Sequence, residues 1–268
     1  MRCLLPILLL FLLVVPPALA EDNLFNSTTA IKGEIARFGD EALDVVKTPV
    51  GLDNHGLIGT VAVAGAVGLT YVFDSDIRTK LQGAKGHSLD KAADAGSILG
   101  NPFLHLGVAA AVYGGGVVAD SPKYRSLGEM MGEAVLLADA TTFVLKEGIG
   151  RGRPFVGAGK GDFKPFQFKG DNDSMPSMHT SSSFAMASVL AATSESVVAK
   201  VAYYTAAAFV GFSRMYQDKH WASDVVLGAA VGELCGRVVT NYHASKRNIT
   251  LAPLASGDAT GLALVGRF

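Results

Sequence analysis

The feature of this sequence that most constrains its fold is a series of apolar segments, each about as long as one helix. They are rich in Ala, Val, Leu and Gly, and shorter polar stretches separate them. Runs of this length are too long for ordinary strands and favour helices that pack their apolar sides together. The segments occupy residues 56–73, 102–119, 127–146, 178–194, 197–213 and 222–240. We therefore predict an all-α fold, a helical bundle of about six core helices.

Two of these segments are borderline membrane spans. Residues 56–73 and 102–119 contain no acidic residue and no lysine, and each is close to the shortest length that crosses a bilayer. The third and sixth segments carry charged residues such as Glu133 and Glu233, which are costly in lipid. A soluble or membrane-associated helical globule is therefore favoured, and an integral bundle stays the alternative.

The first twenty residues have the composition of a secretory signal. Arg2 precedes an apolar run, and Ala18-Leu19-Ala20 has the small-x-small pattern of a cleavage site. We predict a signal peptide over residues 1–20 and export to the periplasm or cell envelope, with an uncleaved anchor helix as the alternative. If the signal is cleaved and every segment spans, the loop after the third segment faces the cytoplasm, which argues against six spans.

The rest of the chain divides into a lead-in, a core and a tail. Residues 21–50 mix charged and apolar side chains at helical spacing, which predicts one lead-in helix. Residues 51–245 form the helical core. In residues 246–268 the apolar period changes to that of a strand, and Ser256-Gly257-Asp258 supplies a turn. The tail is therefore predicted to be a short β-hairpin.

Charge and cysteine content narrow the classes of function. The chain has 23 basic and 24 acidic side chains, too even a balance for nucleic acid as a main partner. After signal cleavage only Cys235 remains, so no intramolecular disulfide is expected. The sequence has no HExxH or paired CxxC spacing and predicts no metal or other cofactor. Four histidines match no motif and are expected to be structural: His55, His87, His105 and His243.

Three short segments, 146–154, 176–180 and 213–224, concentrate polar residues that an apolar helical chain has no structural reason to hold. In the last one, His220 and Asp224 are four residues apart, which on a helix places both on one face. A carboxylate bonded to an imidazole fixes its tautomer and stabilises its positive charge, as an activated nucleophile requires. Surface helices often produce such a pair by chance, so alone it is weak evidence.

The same three segments also contain basic residues and the predicted start of a helix. Lys146, Arg153 and Arg214 lie beside helix ends in the same segments, and a phosphoryl group in transfer needs fixed cations around its equatorial oxygens. Ser177 is placed as an N-cap before the fourth apolar segment, and the free N–H groups of that helix start would face an anion. His179 lies in the same turn, where an imidazole can protonate a leaving group.

Taken together, the three segments closely resemble the three-part signature of the type 2 phosphatidic acid phosphatase and vanadium haloperoxidase superfamily. They match it in order and in internal gaps: Lys146 to Arg153-Pro154, Pro176-Ser177 to His179, and Ser213-Arg214 to His220 and Asp224. The resemblance covers roughly residues 55–245. The signal peptide and the single remaining cysteine look more like its secreted non-specific acid phosphatases than its membrane-embedded lipid phosphatases.

The resemblance implies a metal-free helical phosphatase that works through a phosphohistidine intermediate. His220 would be the attacking histidine, Asp224 its orienting partner and His179 the general acid. The implied phosphate cradle consists of Lys146, Arg153, Ser177, Met178 and Arg214. Met178 stands where the family usually has Gly, so its side chain must point away from the substrate or line the pocket.

The predicted function is therefore hydrolysis of phosphomonoesters. Three alternatives stay open: a membrane-associated phosphatase of lipid phosphates or diphosphates, a vanadium-dependent haloperoxidase, and a non-catalytic protein with a relic site. Residues 155–175 bear on the first, because lysines there alternate with Phe155, Phe163, Phe166 and Phe168. Such a loop is either a lid over a lipid phosphate or a solvated loop that its phenylalanines pin to the core.

Overall fold

A computed structural model describes residues 28–51, 56–247, 250–256 and 259–265, and the predicted signal peptide lies outside these residues. The described core is all-α, as the sequence predicts. Its helices are α1 (Thr28–Lys47), α2 (Gly56–Gly83), α3 (His87–Leu99), α4 (Pro102–Val118), α5 (Pro122–Ile149), α6 (Met178–Thr193), α7 (Val197–Tyr216) and α8 (Ala222–Arg247). Single 3-10 turns follow α1 and α5, at Thr48–Val50 and Pro154–Val156.

The prediction of about six core helices was wrong by one, because α3 has no long apolar run. Charged residues such as Asp90 and Asp94 interrupt its sequence, and only Ala93 and Gly96 are buried. Gly96 lies against α7 so closely that an added Cβ would be 2.8 Å from the Ser213 Cβ. A narrow buried face of small residues therefore holds α3, and apolar periodicity does not detect such a face.

The centre of the core is the packing of α8 against α6, and a stripe of glycines on α8 makes it close. A Cβ at Gly228 would lie 2.6 Å from the Ser177 carbonyl oxygen, and one at Gly232 would lie 2.1 Å from the Ser181 oxygen. Backbone therefore touches backbone along these two helices. This contact fixes the start of α6 relative to the start of α8. Predicted site residues are located near both helix starts.

Most of α2 is apolar and exposed. This 28-residue helix is long and apolar enough to cross a bilayer, with a mean hydropathy of 1.8 over a window of which no part is buried. The pair α3 and α4, bent by 54°, passes the same test of length and composition when counted as one segment. Within the described residues, one or two segments therefore qualify as spans by this test.

The tail contains two strands, β1 (Thr250–Ser256) and β2 (Ala259–Val265). They pair antiparallel, with Thr250 opposite Val265 and Ser256 opposite Ala259. The strands follow the helical bundle in the chain and add no layer to it. The predicted hairpin is not supported as a part of the helical fold.

Replacing Gly232 with Ala tests the close packing of α6 and α8. Alanine favours helix by about 1 kcal/mol over glycine, but its Cβ would overlap the Ser181 oxygen, so we expect a net destabilisation of about 1–3 kcal/mol. Gly107→Ala in α4 is the matched control, because nothing lies within 4 Å of its added Cβ. Denaturant unfolding of both variants measures the difference, and equal effects would refute this packing.

Candidate active site

The site is organised around a buried arginine to which the motif spacing does not point. Arg151 follows α5 and has no exposed surface. Its Nη2 donates to Asp74 Oδ2 of α2 at 2.7 Å, and its Nη1 donates to Asp224 Oδ1 of α8 at 2.6 Å and to Ser223 Oγ at 2.7 Å. Asp74 and Asp224 are equally buried. One guanidinium thus joins three segments that are distant in sequence.

The predicted direct hydrogen bond between Asp224 and His220 is not formed. His220 Nδ1 lies 2.7 Å from the carbonyl oxygen of Ser174 and 3.7 Å from Asp224 Oδ2. The i, i+4 geometry fails because α8 begins at Ala222, so His220 precedes the helix. Asp224 Oδ2 instead accepts from Ser174 Oγ at 2.5 Å and from the Trp221 N–H at 2.8 Å. Asp224 therefore binds Ser174, and the carbonyl oxygen of Ser174 in turn binds the His220 imidazole.

This arrangement determines the tautomer of His220. A backbone carbonyl only accepts hydrogen bonds, so the proton of the neutral ring lies on Nδ1. The lone pair is then on Nε2, which lies 3.4 Å from Arg153 Nη1. His220 is 4% exposed. A buried imidazole with a fixed tautomer is suited to nucleophilic attack through Nε2.

Six of the eight predicted site residues line one cavity of about 280 Å³. The complete lining is Phe143, Lys146, Glu147, Arg153, Asp173, Met178, His179, Arg214 and His220. Asp224 and Ser177 lie behind this surface. The Ser177 side chain makes no capping bond; its Oγ accepts from Thr180 Oγ1 at 2.9 Å, and its N–H donates to the Asp224 carbonyl oxygen at 3.0 Å.

The cavity forms where helix ends meet. Lys146 is in the last turn of α5, Met178 and His179 begin α6, and Arg214 is in the last turn of α7. Gly150 ends α5 in the left-handed region, with φ 63°, and packs on the backbone of Lys164. Met178 is not among the residues with positive φ. Its side chain lines the cavity, which is one of the two placements expected for a residue that replaces Gly.

Fixed contacts orient the three cations. Arg153 Nε donates to Asp173 Oδ1 at 2.5 Å, and Lys146 donates to the Asp173 carbonyl oxygen. Arg214 Nη1 donates to Ser97 Oγ of α3 at 2.5 Å. The motif spacing does not point to Asp173 or Ser174, although both lie just before the segment 176–180. Acidic and hydroxyl residues next to a motif are the signal that points to them.

Burial and mutual repulsion lower the pKa values of the basic groups His179, His220 and Lys146. Burial, together with Arg214 and Lys146, lowers the pKa of His179 to about 3. Burial also lowers the pKa of Lys146 to about 8 and holds the pKa of His220 well below its usual value. Burial and the neighbouring cations therefore favour neutral imidazoles in the cavity. A bound dianion would relieve the repulsion and raise the pKa of His179 toward a protonated, acid-competent state.

The loop over residues 155–175 is partly pinned and partly exposed. Phe163 stacks on Tyr71 with ring centroids 6.4 Å apart and lies over the Arg151 guanidinium. Phe166 and Phe168 are 69% and 70% exposed. The Phe166 N–H donates to the carbonyl oxygen of Glu147, a residue of the cavity lining, at 2.7 Å. The backbone of Phe166 is therefore tied to a cavity-lining residue, and Phe168 follows it by two positions.

Part of this core is similar to known proteins. Residues 130–248 match the family model of the PAP2 superfamily. Over 119 residues the chain is 40% identical to a lipid A 1-phosphatase of Porphyromonas gingivalis, a match that covers 43% of this chain and 24% of that protein. The chain thus matches about a quarter of that relative's length. The whole predicted site, from Lys146 to Asp224, falls within residues 130–248, which match the family model.

Two solved structures share the fold. The crystal structure of Aquifex aeolicus LpxE has a TM-score of 0.51 and 22% identity, and the match covers 63% of this chain and 96% of that chain. A transmembrane PAP2-type phosphatidylglycerolphosphate phosphatase from Bacillus subtilis has a TM-score of 0.53 and 21% identity, over 74% of this chain and 97% of that chain. Both comparisons show that this chain shares the helical arrangement of these structures.

Replacing Asp74 with Asn tests the buried arginine cluster. The change leaves the fully buried Arg151 with one carboxylate fewer, and we expect the free energy of unfolding to fall by about 3–5 kcal/mol. Asp76→Asn is the matched control, because Asp76 lies on the same helix and is exposed, so its effect should stay within about 0.5 kcal/mol. Thermal unfolding measures both, and similar midpoints would contradict the role of the cluster.

Proposed function

We propose that this chain, which belongs to the type 2 phosphatidic acid phosphatase superfamily, hydrolyses a lipid phosphate or diphosphate at a membrane surface. The observation that carries the proposal is the cavity in which His220 and His179 share a space with three cations. Such a cavity suits a phosphoryl group, because the transition state of phosphoryl transfer spreads negative charge over the equatorial oxygens. The chemistry uses side chains alone and needs no metal ion.

The proposed reaction has two steps. His220 Nε2 attacks phosphorus in line, a P–N bond forms, and the bond from phosphorus to the leaving oxygen breaks. His179 donates its proton to that oxygen. Water then attacks the phosphohistidine, and His179 takes the proton of that water as phosphate leaves. Lys146, Arg153 and Arg214 bind the equatorial oxygens throughout, while Asp224 acts through Ser174 as a positioning residue.

The geometry of α2 favours a lipid substrate over a soluble one. The apolar part, residues 56–73, has a helical length of about 27 Å, close to the hydrocarbon thickness of a bilayer, about 30 Å. Directly after it, Asp74 binds Arg151, and Arg78 binds Asp218 at 2.7 Å and the Pro154 carbonyl oxygen at 2.9 Å. If α2 spans the membrane, the catalytic cavity is fixed at the membrane surface, where lipid headgroups lie.

Several observations thus favour the lipid alternative over the soluble phosphomonoesterase that the signal-like N terminus suggests. Exposed apolar side chains on α2 include Leu57, Ile58, Val61, Leu69, Val72 and Phe73. The comparison proteins are named for lipid A and for phosphatidylglycerolphosphate. Burial of an exposed apolar helix in lipid removes the cost of its hydration.

A turnover assay of the full chain in lipid vesicles tests the proposed function. We expect phosphate release from lipid phosphates to exceed release from glycerol phosphate, and to persist after brief exposure to EDTA. His220→Ala should lower kcat by at least a thousandfold, because no other group of the cavity replaces the nucleophile. Full turnover by this variant would disprove the mechanism. Efficient turnover of soluble substrates alone, with the protein extracted by a high-salt wash, would favour the soluble phosphatase.

The two exposed phenylalanines provide a separate test of the lipid substrate. The double variant Phe166→Ser, Phe168→Ser removes apolar contact beside the cavity and should raise KM for a lipid phosphate in vesicles by about tenfold or more, since an apolar side chain of this size contributes about 1.5–3 kcal/mol when buried. Turnover of a short-chain soluble analogue serves as the control and should not change. A parallel loss on both substrates would instead indicate a damaged cavity.

A further inference from the structure

A second group of buried titratable side chains lies where α1, α5 and α8 meet. It consists of Glu41 of α1, Glu133 of α5 and His243 of α8. Glu133 and the catalytic-site residue Lys146 are on the same helix, about 20 Å apart along its axis. This cluster, which we call the α1 cluster, is therefore separate from the phosphate cavity, and the proposed reaction does not use it.

The three side chains of the α1 cluster point at one space. His243 Nε2 lies 2.7 Å from Glu133 Oε2 and 4.0 Å from Glu41 Oε1. One ligand atom from each residue lies within 4.8 Å of the others. Glu41 has no exposed surface, and neither of its carboxylate oxygens has a hydrogen-bond partner. A buried carboxylate without partners is costly, so Glu41 requires either a proton or a cation.

The charges around the α1 cluster favour a cation. Arg37 donates to Glu129 Oε1 at 2.6 Å and to Glu133 Oε1. One guanidinium therefore binds two carboxylates, those of Glu129 and Glu133, while the Glu41 carboxylate receives no hydrogen bond. The bond from Arg37 occupies one oxygen of Glu133 and leaves the other, Oε2, on the side of His243. A dication placed between His243, Glu133 and Glu41 would neutralise the remaining negative charge.

We propose that Glu41, Glu133 and His243 bind a divalent transition-metal ion, with Zn²⁺ the best match, and that this ion fastens α1 to α5 and α8. One imidazole nitrogen with two carboxylate oxygens is a mixed donor set that suits zinc, whereas magnesium and calcium prefer oxygen ligands alone. Tetrahedral zinc needs ligand atoms about 3.3 Å apart, which small side-chain rotations supply here. The contact from Arg37 to the outer oxygen of Glu133 is the kind that orients a metal ligand.

Metal content and thermal unfolding of the untagged full chain test this proposal. The chain is stripped with a chelator, dialysed, and titrated with zinc chloride alone in phosphate-free buffer. We expect one zinc ion per chain by mass spectrometry of the metal, and a rise in the thermal midpoint of about 5–10 °C at a hundredfold excess over the dissociation constant. Neither readout depends on phosphatase activity, so failure of the proposed function would not affect them.

Variants separate a built site from adventitious binding. Glu41→Gln and His243→Ala should each lose the bound zinc and the rise in midpoint, whereas Glu129→Gln, which changes a partner of Arg37 but no ligand, should keep both. If His243→Ala does not fold, Glu41→Gln decides, because it removes a buried charge and keeps the shape. Zinc binding that persists in Glu41→Gln would overturn the proposal. So would a parent chain that binds no stoichiometric zinc, in which case Glu41 is a buried, protonated carboxyl.

Discussion

The structure depends on one buried guanidinium. Arg151 holds Asp74 at the end of α2 and Asp224 at the start of α8, and all three side chains have no exposed surface. A buried ion pair adds little net stability, but the loss of one partner is costly. The three segments are therefore held in one geometry. Because Asp224 also binds Ser174, and the Ser174 carbonyl oxygen binds His220, the same cluster fixes the proposed nucleophile.

The sequence predicts most of the residues of this site, but it does not predict the hydrogen bonds between them. Motif spacing selects His179, His220 and the three cations, which the fold brings to one cavity. It misplaces the contact of Asp224, because the spacing argument assumes that His220 is already helical. Arg151 and Ser174 escape detection because their partners are distant in sequence or are backbone atoms. The clearest available signal for Arg151 is that it and Arg153 are the charged residues of the glycine-rich stretch 148–159.

The C-terminal part of α2 connects its apolar length to the segments that form the cavity. Sequence composition marks residues 56–73 as only a borderline span, while the helix continues through Asp74 and Arg78 to Gly83. These polar residues contact the cavity segments directly. An apolar helix of about bilayer length that ends at the buried arginine cluster is a physical reason to propose a lipid phosphate as the substrate. Composition alone does not reveal this connection.

The most direct test of the account is to trap the covalent intermediate. His179→Ala lacks the base that activates water, so a phosphorylated aryl substrate, whose leaving group needs no protonation, should load the enzyme and leave the phosphoryl group on it. We predict alkali-stable, acid-labile radiolabel on the peptide that contains His220, and none when His220 is also replaced. Label on another residue, or turnover of this substrate without any protein-bound phosphate, would contradict the account.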